Sequence, residues 1–313
     1  MRFAVMGTGG AGGYFGARLA EAGHDVTFIA RGAHLDAIRR DGLRVESVNG
    51  DVTVKPATAT DDPATVGTVD YVLLGVKAWQ VAESARALAP LMGPGTAVLP
   101  LQNGIDAAEE IGTALGTEHA LGGTAKIISF LVGPGHIKHT GAAPTLEIGE
   151  LDREPSARVA ALREAFANAT GVTIQVPSDI HVAMWSKFLF IASASGVGAV
   201  TRAPIGLVRT TPETRDLVLN AMREIEQLAR ARTVALAADA VTTAMAYYDN
   251  LPASGTTSMQ RDLAEGRPSE LDNLSGAAAR LGAAHGIATP THTFIYHALL
   301  LQERLARERA TAR

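Results

Sequence analysis

The first part of the chain alternates short apolar runs with longer amphipathic segments. The runs are rich in Val, Ile, Leu and Phe and predict β-strands at Phe3–Gly7, Asp25–Ala30, Asp70–Val76 and Thr96–Leu101. Between them, apolar residues at helical spacing predict crossover helices at Gly13–Ala22, Gln80–Leu91 and Asp106–Leu115. This alternation is typical of a doubly wound α/β domain with a parallel sheet.

The pattern changes twice further along the chain. From His119 to Gly149, β-rich runs separated by glycines predict an antiparallel extension that closes the sheet, and Val172–Val176 predicts a last strand. After Pro177 the spacing is helical, and it predicts helices at Ile180–Ala194, Glu213–Ala231, Ala237–Asn250, Ser258–Ala264, Glu270–Gly286 and Thr293–Arg309. We therefore expect an α/β Rossmann domain over residues 1–178 and an all-α domain over residues 179–313.

Length and composition limit the possible functions. A chain of 313 residues with 47% hydrophobic and 19% charged residues has enough apolar material for two domain cores. The net charge of −4, with no cluster of basic residues, disfavours nucleic acid as a partner. The absence of cysteine excludes disulfides and thiolate nucleophiles and agrees with the reducing cytoplasm, the expected location. Neither a signal peptide nor a membrane span is expected.

A glycine-rich pattern follows the first predicted strand. Its GxGxxG spacing is formed by Gly7, Gly9 and Gly12, and Gly10 adds a further glycine. Glycines let the backbone turn sharply and approach a pyrophosphate, while the following helix points its amino end at the phosphates. A flexible turn without a ligand is the alternative. The position between a strand and a helix favours a dinucleotide site.

The residue after the second predicted strand indicates which cofactor to expect. NAD sites place an acidic residue there, which binds the ribose hydroxyls. This chain has Arg31 instead. A guanidinium matches a ribose 2′-phosphate, so the sequence predicts NADPH over NADH. A merely solvated arginine is the alternative.

Lysine is scarce in this chain and therefore informative. Only five of the 28 basic residues are lysine, and each tryptophan lies within two residues of one of them. Lys77 and Asn103 follow neighbouring predicted strands, at the carboxyl edge where parallel sheets bind ligands. A surface lysine and a turn asparagine are the alternative.

Candidate chemistry also occurs in the helical part. Lys187 lies in an apolar segment and shares a helix face with Ile191 and Ser195. A lysine there can donate a proton to a developing alkoxide, or it snorkels at the rim of the core. Glu270 is either an active-site carboxylate or part of a helix start, because Ser269 and Asp272 match a capping box.

Other polar residues of the helical part give weaker signals. Ser258 and Asp262 share a helix face and are either polar lining or surface. No His, Asp and Glu cluster has metal-ligand spacing, so no metal is expected. The apolar stripes of Glu213–Ala231 and Thr293–Arg309 fit the domain core better, although a homodimer interface is possible.

These segments together resemble the ketopantoate reductase (2-dehydropantoate 2-reductase) family over nearly the whole chain. The resemblance lies in the glycine pattern with Ile29–Arg31 and in five further segments: Val76–Gln80, Gln102–Gly104, Trp185–Phe188, Ser258–Asp262 and Ser269–Asp272. It implies NADPH-dependent reduction of ketopantoate to pantoate, a step of pantothenate biosynthesis. The substrate would then be a small 2-oxo acid.

The resemblance also assigns roles to individual residues. Lys187 would be the general acid that protonates the keto oxygen, and Glu270 would hold the substrate hydroxyl. Cofactor contacts would come from Gly7, Gly9, Gly10, Gly12, Arg31, Lys77, Gln80 and Asn103. Substrate contacts would come from Lys77, Asn103, Ser195, Ser258 and Glu270.

Four positions depart from the family pattern. Ile191 and Ser195 stand where asparagines are expected, Gly255 replaces another amide, and Ser275 replaces an asparagine. A pocket that loses several amides favours a different or more apolar substrate, so another 2-oxo acid, carbonyl or imine is the main alternative. A regulatory NADP(H)-binding module without turnover is a remote one, because such a module has no use for a proton-donating lysine.

Overall fold

The computed structural model describes residues 1–311, which divide into two units. The first unit contains Met1–Gln102 and Ala107–Ile180, and the second contains Asn103–Asp106 and the chain from His181 onward. The ten strands described all lie in the first unit: β1 Arg2–Met6, β2 Asp25–Ile29, β3 Leu43–Ser47, β4 Val52–Val54, β5 Thr58–Thr60, β6 Tyr71–Leu74, β7 Ala97–Pro100, β8 Gly122–Gly133, β9 His136–Gly149 and β10 Thr173–Gln175.

The first sheet is parallel, with strand order β5-β2-β1-β6-β7. Alternate residues of each central strand enter different apolar clusters, as Phe3 and Val5 of β1 do on one face and Ala4 and Met6 on the other. Burial of both faces explains why these strands are continuous apolar runs. The strand order changes direction between β1 and β6, where open α/β sheets bind ligands. The predicted α/β fold is confirmed.

The second sheet was not predicted. It has the order β10-β9-β3-β4, and β8 pairs with β9 outside this order. The segment from His119 to Gly149 is an antiparallel hairpin, as expected, but its strand β9 pairs with β3, and an isolated bridge between Val98 and Ala120 joins its start to the first sheet. The prediction that the hairpin extends the first sheet is wrong. The partner strand β3 was missed because Leu43 and Val45 are its only apolar residues, which is too weak a pattern to predict a strand.

Five α-helices flank the strands of the first unit: α1 Gly10–Glu21, α2 Gly32–Asp41, α3 Val81–Ala87, α4 Ala107–Leu115 and α5 Ala157–Ala165. Helix α1 packs its buried face against β1 and β2, where Gly16 leaves room for the side chains of Val5 and Phe28. The sequence did not predict α2 and α5, which are short, with ten and nine residues.

The described part of the second unit is helical: α6 Ile180–Thr201, α7 Ile205–Thr210, α8 Pro212–Ala231, α9 Ala240–Asp249, α10 Ser258–Ala264, α11 Ala277–His285 and α12 Pro290–Thr311. A π-helical turn, Asp272–Gly276, precedes α11. Among the described helices, α6 alone is long and apolar enough to cross a membrane, but 67% of its most apolar window is buried. Phe188, Leu189 and Val197 of α6 belong to the unit's core, which accounts for its hydrophobicity.

Candidate functional site

The GxGxxG loop lies between β1 and α1, at the carboxyl edge of the parallel sheet. Gly7 has φ +89°, a conformation that side chains other than glycine rarely adopt. At Gly12 a Cβ atom would lie 2.3 Å from the Gly7 carbonyl oxygen, so only glycine lets the helix begin this close to the loop. Gly10 is equally confined, because a Cβ there would lie 2.5 Å from the Ser129 carbonyl oxygen of β8.

Gly9 differs from the other glycines of the loop. A Cβ atom at this position would meet nothing within 4 Å, although the residue is the N-cap of α1. No side chain caps the helix, and its first turn contains no acidic residue. An open glycine at a helix amino end without a side-chain cap fits a cofactor phosphate, because the backbone N–H groups and the helix dipole attract anions.

Arg31 follows β2 and is the N-cap of α2. Its side chain is exposed, and no ion pair to an acidic residue is formed within residues 1–311. The nearby acid Asp61 lies instead 3.7 Å from Arg39. The guanidinium of Arg31 therefore suits a ribose phosphate, whereas the carboxylate found at this position in NAD sites would repel one.

Lys77 and Gln80 form one turn at the end of β6. The Gln80 N–H donates to the Lys77 carbonyl at 2.9 Å, and the Lys77 N–H donates back to the Gln80 Oε1 at 3.3 Å. Lys77 Nζ lies 5.7 Å from the centre of the Trp79 ring, within cation–π range. The turn thus presents an exposed ammonium next to an aromatic ring.

Gln102 was missed as a site residue. Its Nε2 donates to the carbonyls of Leu74 at 2.8 Å and Val76 at 2.9 Å, and so fixes the segment that leads to Lys77. Its Oε1 is buried without a hydrogen-bond partner in the described structure. A buried acceptor at this edge of the sheet is available to a ligand amide. Its position directly before Asn103 was the only signal in the sequence.

Asn103 belongs to the second unit, together with Glu270. Its Nδ2 donates to Glu270 Oε2 at 2.9 Å. The following Gly104 has φ +96°, and a Cβ there would lie 2.9 Å from the Asn273 carbonyl oxygen, so the turn brings Asn103 close to the chain around Glu270. The expected proximity of Asn103 to Lys77 stays a prediction.

Glu270 precedes the π-helical turn and is only 7% exposed. The neighbouring Ser269 is anchored by Glu303, whose carboxylate accepts from the Ser269 N–H at 3.0 and 3.1 Å and from its Oγ at 2.6 Å. The predicted capping box is formed in part: Ser269 Oγ accepts from the Leu271 N–H at 3.2 Å, whereas Asp272 accepts from the Tyr296 hydroxyl at 2.7 Å rather than from Ser269. The carboxylate of Glu270 itself is held by Asn103.

Lys187, Ile191 and Ser195 are all on α6, and their burial increases along the helix. Lys187 and Ile191 are half-buried, whereas Ser195 is fully buried. Ser193 satisfies its hydroxyl by donating to the Leu189 carbonyl at 2.8 Å, but Ser195 Oγ has no hydrogen-bond partner in the described structure. A buried, unsatisfied hydroxyl on the face of Lys187 is available to a polar ligand atom.

Ser258 is the first residue of α10, and Thr257 caps that helix. Asp262 on the same helix is held by Arg267, with Nη2 at 2.8 Å from Oδ1. Gly255 accepts from the Ile205 N–H at 3.0 Å through its carbonyl, and Ser275 Oγ lies 3.4 Å from His292 Nδ1. Asp262 therefore has a structural partner, and Ser258 is half-buried at the start of the helix.

No group of three or more His, Asp or Glu side chains is placed to hold a metal ion within residues 1–311. Two of the histidines have other partners. His139 Nδ1 lies 2.9 Å from Ser47 Oγ, and the buried His292 donates through Nε2 to the Ala221 carbonyl at 3.1 Å. Burial lowers the pKa of His292 and keeps the ring neutral at pH 7.

A parallel sheet with a glycine-rich loop after its first strand, followed by a helical unit, is the architecture of a Rossmann-type oxidoreductase. Two family models match the chain: "Ketopantoate reductase PanE/ApbA" over residues 3–153 and "Ketopantoate reductase PanE/ApbA C terminal" over residues 179–303. The chain belongs to the ketopantoate reductase family.

Similar proteins cover nearly the whole chain. The chain is 30% identical to an uncharacterized oxidoreductase, YkpB, of Bacillus subtilis, over 97% of this chain and 99% of that one. It is also 30% identical to the 2-dehydropantoate 2-reductase of Mesorhizobium japonicum, over 99% of both chains. The crystal structure of 2-dehydropantoate 2-reductase from Geobacter metallireducens superposes with a TM-score of 0.89 at 32% identity, covering 96% of this chain and 99% of that one.

The fold also occurs in a more distant enzyme. D-mandelate dehydrogenase, in its ternary structure with NADH and anilino(oxo)acetate, superposes with a TM-score of 0.87 at 23% identity, over 98% of this chain and 100% of that one. At that level of identity the likeness is one of fold.

Proposed function

We propose that the protein is an NADPH-dependent reductase that converts ketopantoate (2-dehydropantoate) to pantoate. The observation that carries the proposal is the hydrogen bond of 2.9 Å between Asn103 and Glu270, which belong to two segments that resemble the family pattern. An amide that donates to a carboxylate orients it in advance, so that the carboxylate can accept a bond from a substrate hydroxyl.

The first unit would hold the cofactor. The open position at Gly9 and the amino end of α1 suit the diphosphate, and the exposed guanidinium of Arg31 suits the 2′-phosphate that distinguishes NADPH from NADH. Lys77 and Gln80 would contact the nicotinamide-ribose side. The bound cofactor supplies a hydride to the 2-keto carbon of the substrate.

Lys187 would act as the general acid. Its ammonium donates a proton from Nζ to the keto oxygen, which gains negative charge only as the reaction proceeds, so the lysine stabilises the transition state more than the bound substrate. The half-buried position of Lys187 on the apolar helix α6 strengthens this interaction by limiting the access of water. Glu270 would hold the substrate hydroxyl, and Ser258 would contact its carboxylate.

A second candidate is a reductase of a different, more apolar 2-oxo acid, carbonyl or imine. The observation that favours it is the face of α6 that carries Lys187, where Ile191 presents an alkyl group and the hydroxyl of Ser195 has no partner. One hydroxyl and one alkyl chain make fewer hydrogen bonds than the two amides of the family pattern, and Gly255 removes a third amide. Such a pocket discriminates weakly between apolar substrates and no longer requires a particular hydroxyl.

The test is the oxidation of NADPH with ketopantoate and with a panel of smaller and more apolar 2-oxo acids. We expect NADPH-selective turnover, and we expect Lys187→Ala to lower kcat by about 10²–10⁴-fold while the Kd for NADPH stays within threefold. Lys138→Ala is the matched control, because Lys138 pairs with Glu46 on an exposed part of the first unit and should change neither constant. Unchanged kcat in Lys187→Ala would refute the general-acid role. Turnover of another oxo acid, without turnover of ketopantoate, would establish the second candidate.

A further inference from the structure

His34 lies in the first turn of α2, and its ring contacts the glycine loop. The ring Nε2 lies 2.7 Å from the Thr8 carbonyl oxygen, and Nδ1 lies 2.9 Å from the Gly135 nitrogen in the turn between β8 and β9. Because the Gly135 N–H donates to Nδ1, the ring proton must be on Nε2, where it donates to Thr8. The two contacts together require the neutral Nε2–H tautomer.

Thr8 is the residue of the loop that these contacts restrain. Its hydroxyl donates to the Ile29 carbonyl at 3.1 Å, so Thr8 is fixed through its side chain as well as through its own carbonyl. Its neighbours Gly7 and Gly9 have no side chains to limit their conformations, and glycine loses more backbone freedom on ordering than any other residue. The contacts at Thr8 therefore restrain the residue that lies between two glycines of the loop.

The same ring connects the hairpin β8–β9 to the loop. Gly135 is held by His34, and the Ser129 backbone of β8 lies close enough to Gly10 that a Cβ atom there would be 2.5 Å from the Ser129 carbonyl oxygen. The hairpin thus contacts the amino end of α1 directly and is attached to α2 through the histidine.

We propose that His34 is a positioning residue for the cofactor: it holds the Thr8 carbonyl and thereby keeps the N–H groups of the glycine loop in the orientation that a diphosphate requires. The inference rests on the proposed function, since it concerns the same NADPH site. His34 contributes to cofactor affinity by organising the loop before binding and takes no part in the transfer of hydride or proton.

Two substitutions distinguish the effect of the hydrogen bonds of His34 from the effect of its ring. His34→Phe keeps an aromatic ring and loses both bonds, whereas His34→Gln can still donate to Thr8 and accept from Gly135. His24→Phe is the matched control, because His24 Nε2 lies 2.8 Å from the Ala165 carbonyl, away from the loop but in the same unit.

The measurements are the Kd of NADPH and of NADH by nicotinamide fluorescence, the Tm of the ligand-free protein, and steady-state kinetics. We expect His34→Phe to weaken both cofactors by about tenfold, or about 1.4 kcal/mol, and by the same factor, because both contain the diphosphate. His34→Gln should stay within threefold of the wild type, and His24→Phe should bind normally. In the kinetics, the KM for NADPH should rise while kcat stays nearly constant.

Normal cofactor affinity in folded His34→Phe would overturn the inference. So would equal loss of affinity in His24→Phe, since this would indicate general destabilisation. If His34→Phe does not fold, the ring-nitrogen chemical shifts of the wild-type protein decide: a fixed Nε2–H tautomer supports the inference, and a protonated or Nδ1–H ring overturns it. Failure of the proposed function is recognised separately. A wild-type protein that binds NADPH but does not reduce ketopantoate refutes the proposed function and leaves the inference standing, whereas a wild-type protein that binds neither nucleotide refutes both.

Discussion

The substitution Gly9→Ala tests the cofactor loop without disturbing the fold. Gly9 has φ −82° and ψ −158°, an extended conformation that alanine adopts, and the added methyl group would meet nothing within 4 Å. Alanine is a poorer N-cap than glycine by roughly 1 kcal/mol, but its lower freedom in the unfolded chain returns about 0.4–1 kcal/mol. The free energy of unfolding should therefore change by less than about 1 kcal/mol.

Cofactor binding should respond very differently. The methyl group would occupy the open space in which the diphosphate approaches the backbone, and we expect the Kd for NADPH to rise at least about 100-fold, which corresponds to about 2.7 kcal/mol. Fluorescence titration gives the Kd, and urea denaturation of the ligand-free protein gives the stability. Gly95→Ala is the control, because a Cβ at Gly95 also meets nothing within 4 Å.

Substitution of a second glycine, Gly12, is expected to lower the stability of the fold, unlike substitution of Gly9. In Gly12→Ala the new methyl group would lie 2.3 Å from the Gly7 carbonyl oxygen, so the helix must shift and the protein should lose about 1–3 kcal/mol of stability as well as its affinity. If Gly9→Ala binds NADPH within threefold of the wild type, the diphosphate does not pass over Gly9, and the reasoning from its open position is refuted.

Two further predictions concern buried ionisable side chains in the second unit. Glu303 is 1% exposed and accepts three hydrogen bonds from Ser269, so Glu303→Ala should lower the free energy of unfolding by about 3 kcal/mol and Glu303→Gln by less, as measured in urea. Equal stability of the alanine variant would contradict this. Burial lowers the pKa of His292, so the unfolded chain takes up a proton below about pH 6.5 before the folded protein does. Stability should therefore fall from pH 7 to pH 5, and this fall should be smaller in His292→Gln; equal falls in both proteins would refute the assignment.

The parts of the fold that depend on local patterns were predictable from the sequence. Four strands of the first parallel sheet and its glycine loop were identified because these strands are apolar runs and the glycines follow the first one directly, whereas the short edge strand β5, Thr58–Thr60, was missed. The partner of the β8–β9 hairpin was not predictable, since pairing with β3 joins residues that are about 90 positions apart and β3 has only two apolar residues.

In the candidate site, too, single residues were predictable from the sequence, but their contacts were not. Asn103 and Glu270 were singled out by type and position, but their hydrogen bond follows from the turn at Gly104, which only the three-dimensional structure reveals. Gln102 and His34 were missed because a lone glutamine or histidine carries no signal until its partners are known. Their partners are backbone carbonyl and N–H groups, which every sequence contains.

The assignment of Asn103–Asp106 to the second unit means that the polypeptide passes between the units three times, and this governs how the protein can be recombined. A chimera that joins the sheet unit of one relative to the helical unit of another at a single joint near residue 180 would combine Glu270 with an asparagine from a different parent. Ile105 would likewise pack against a core that it did not evolve with. Specificity should therefore transfer between relatives only when this four-residue segment is exchanged together with the helices.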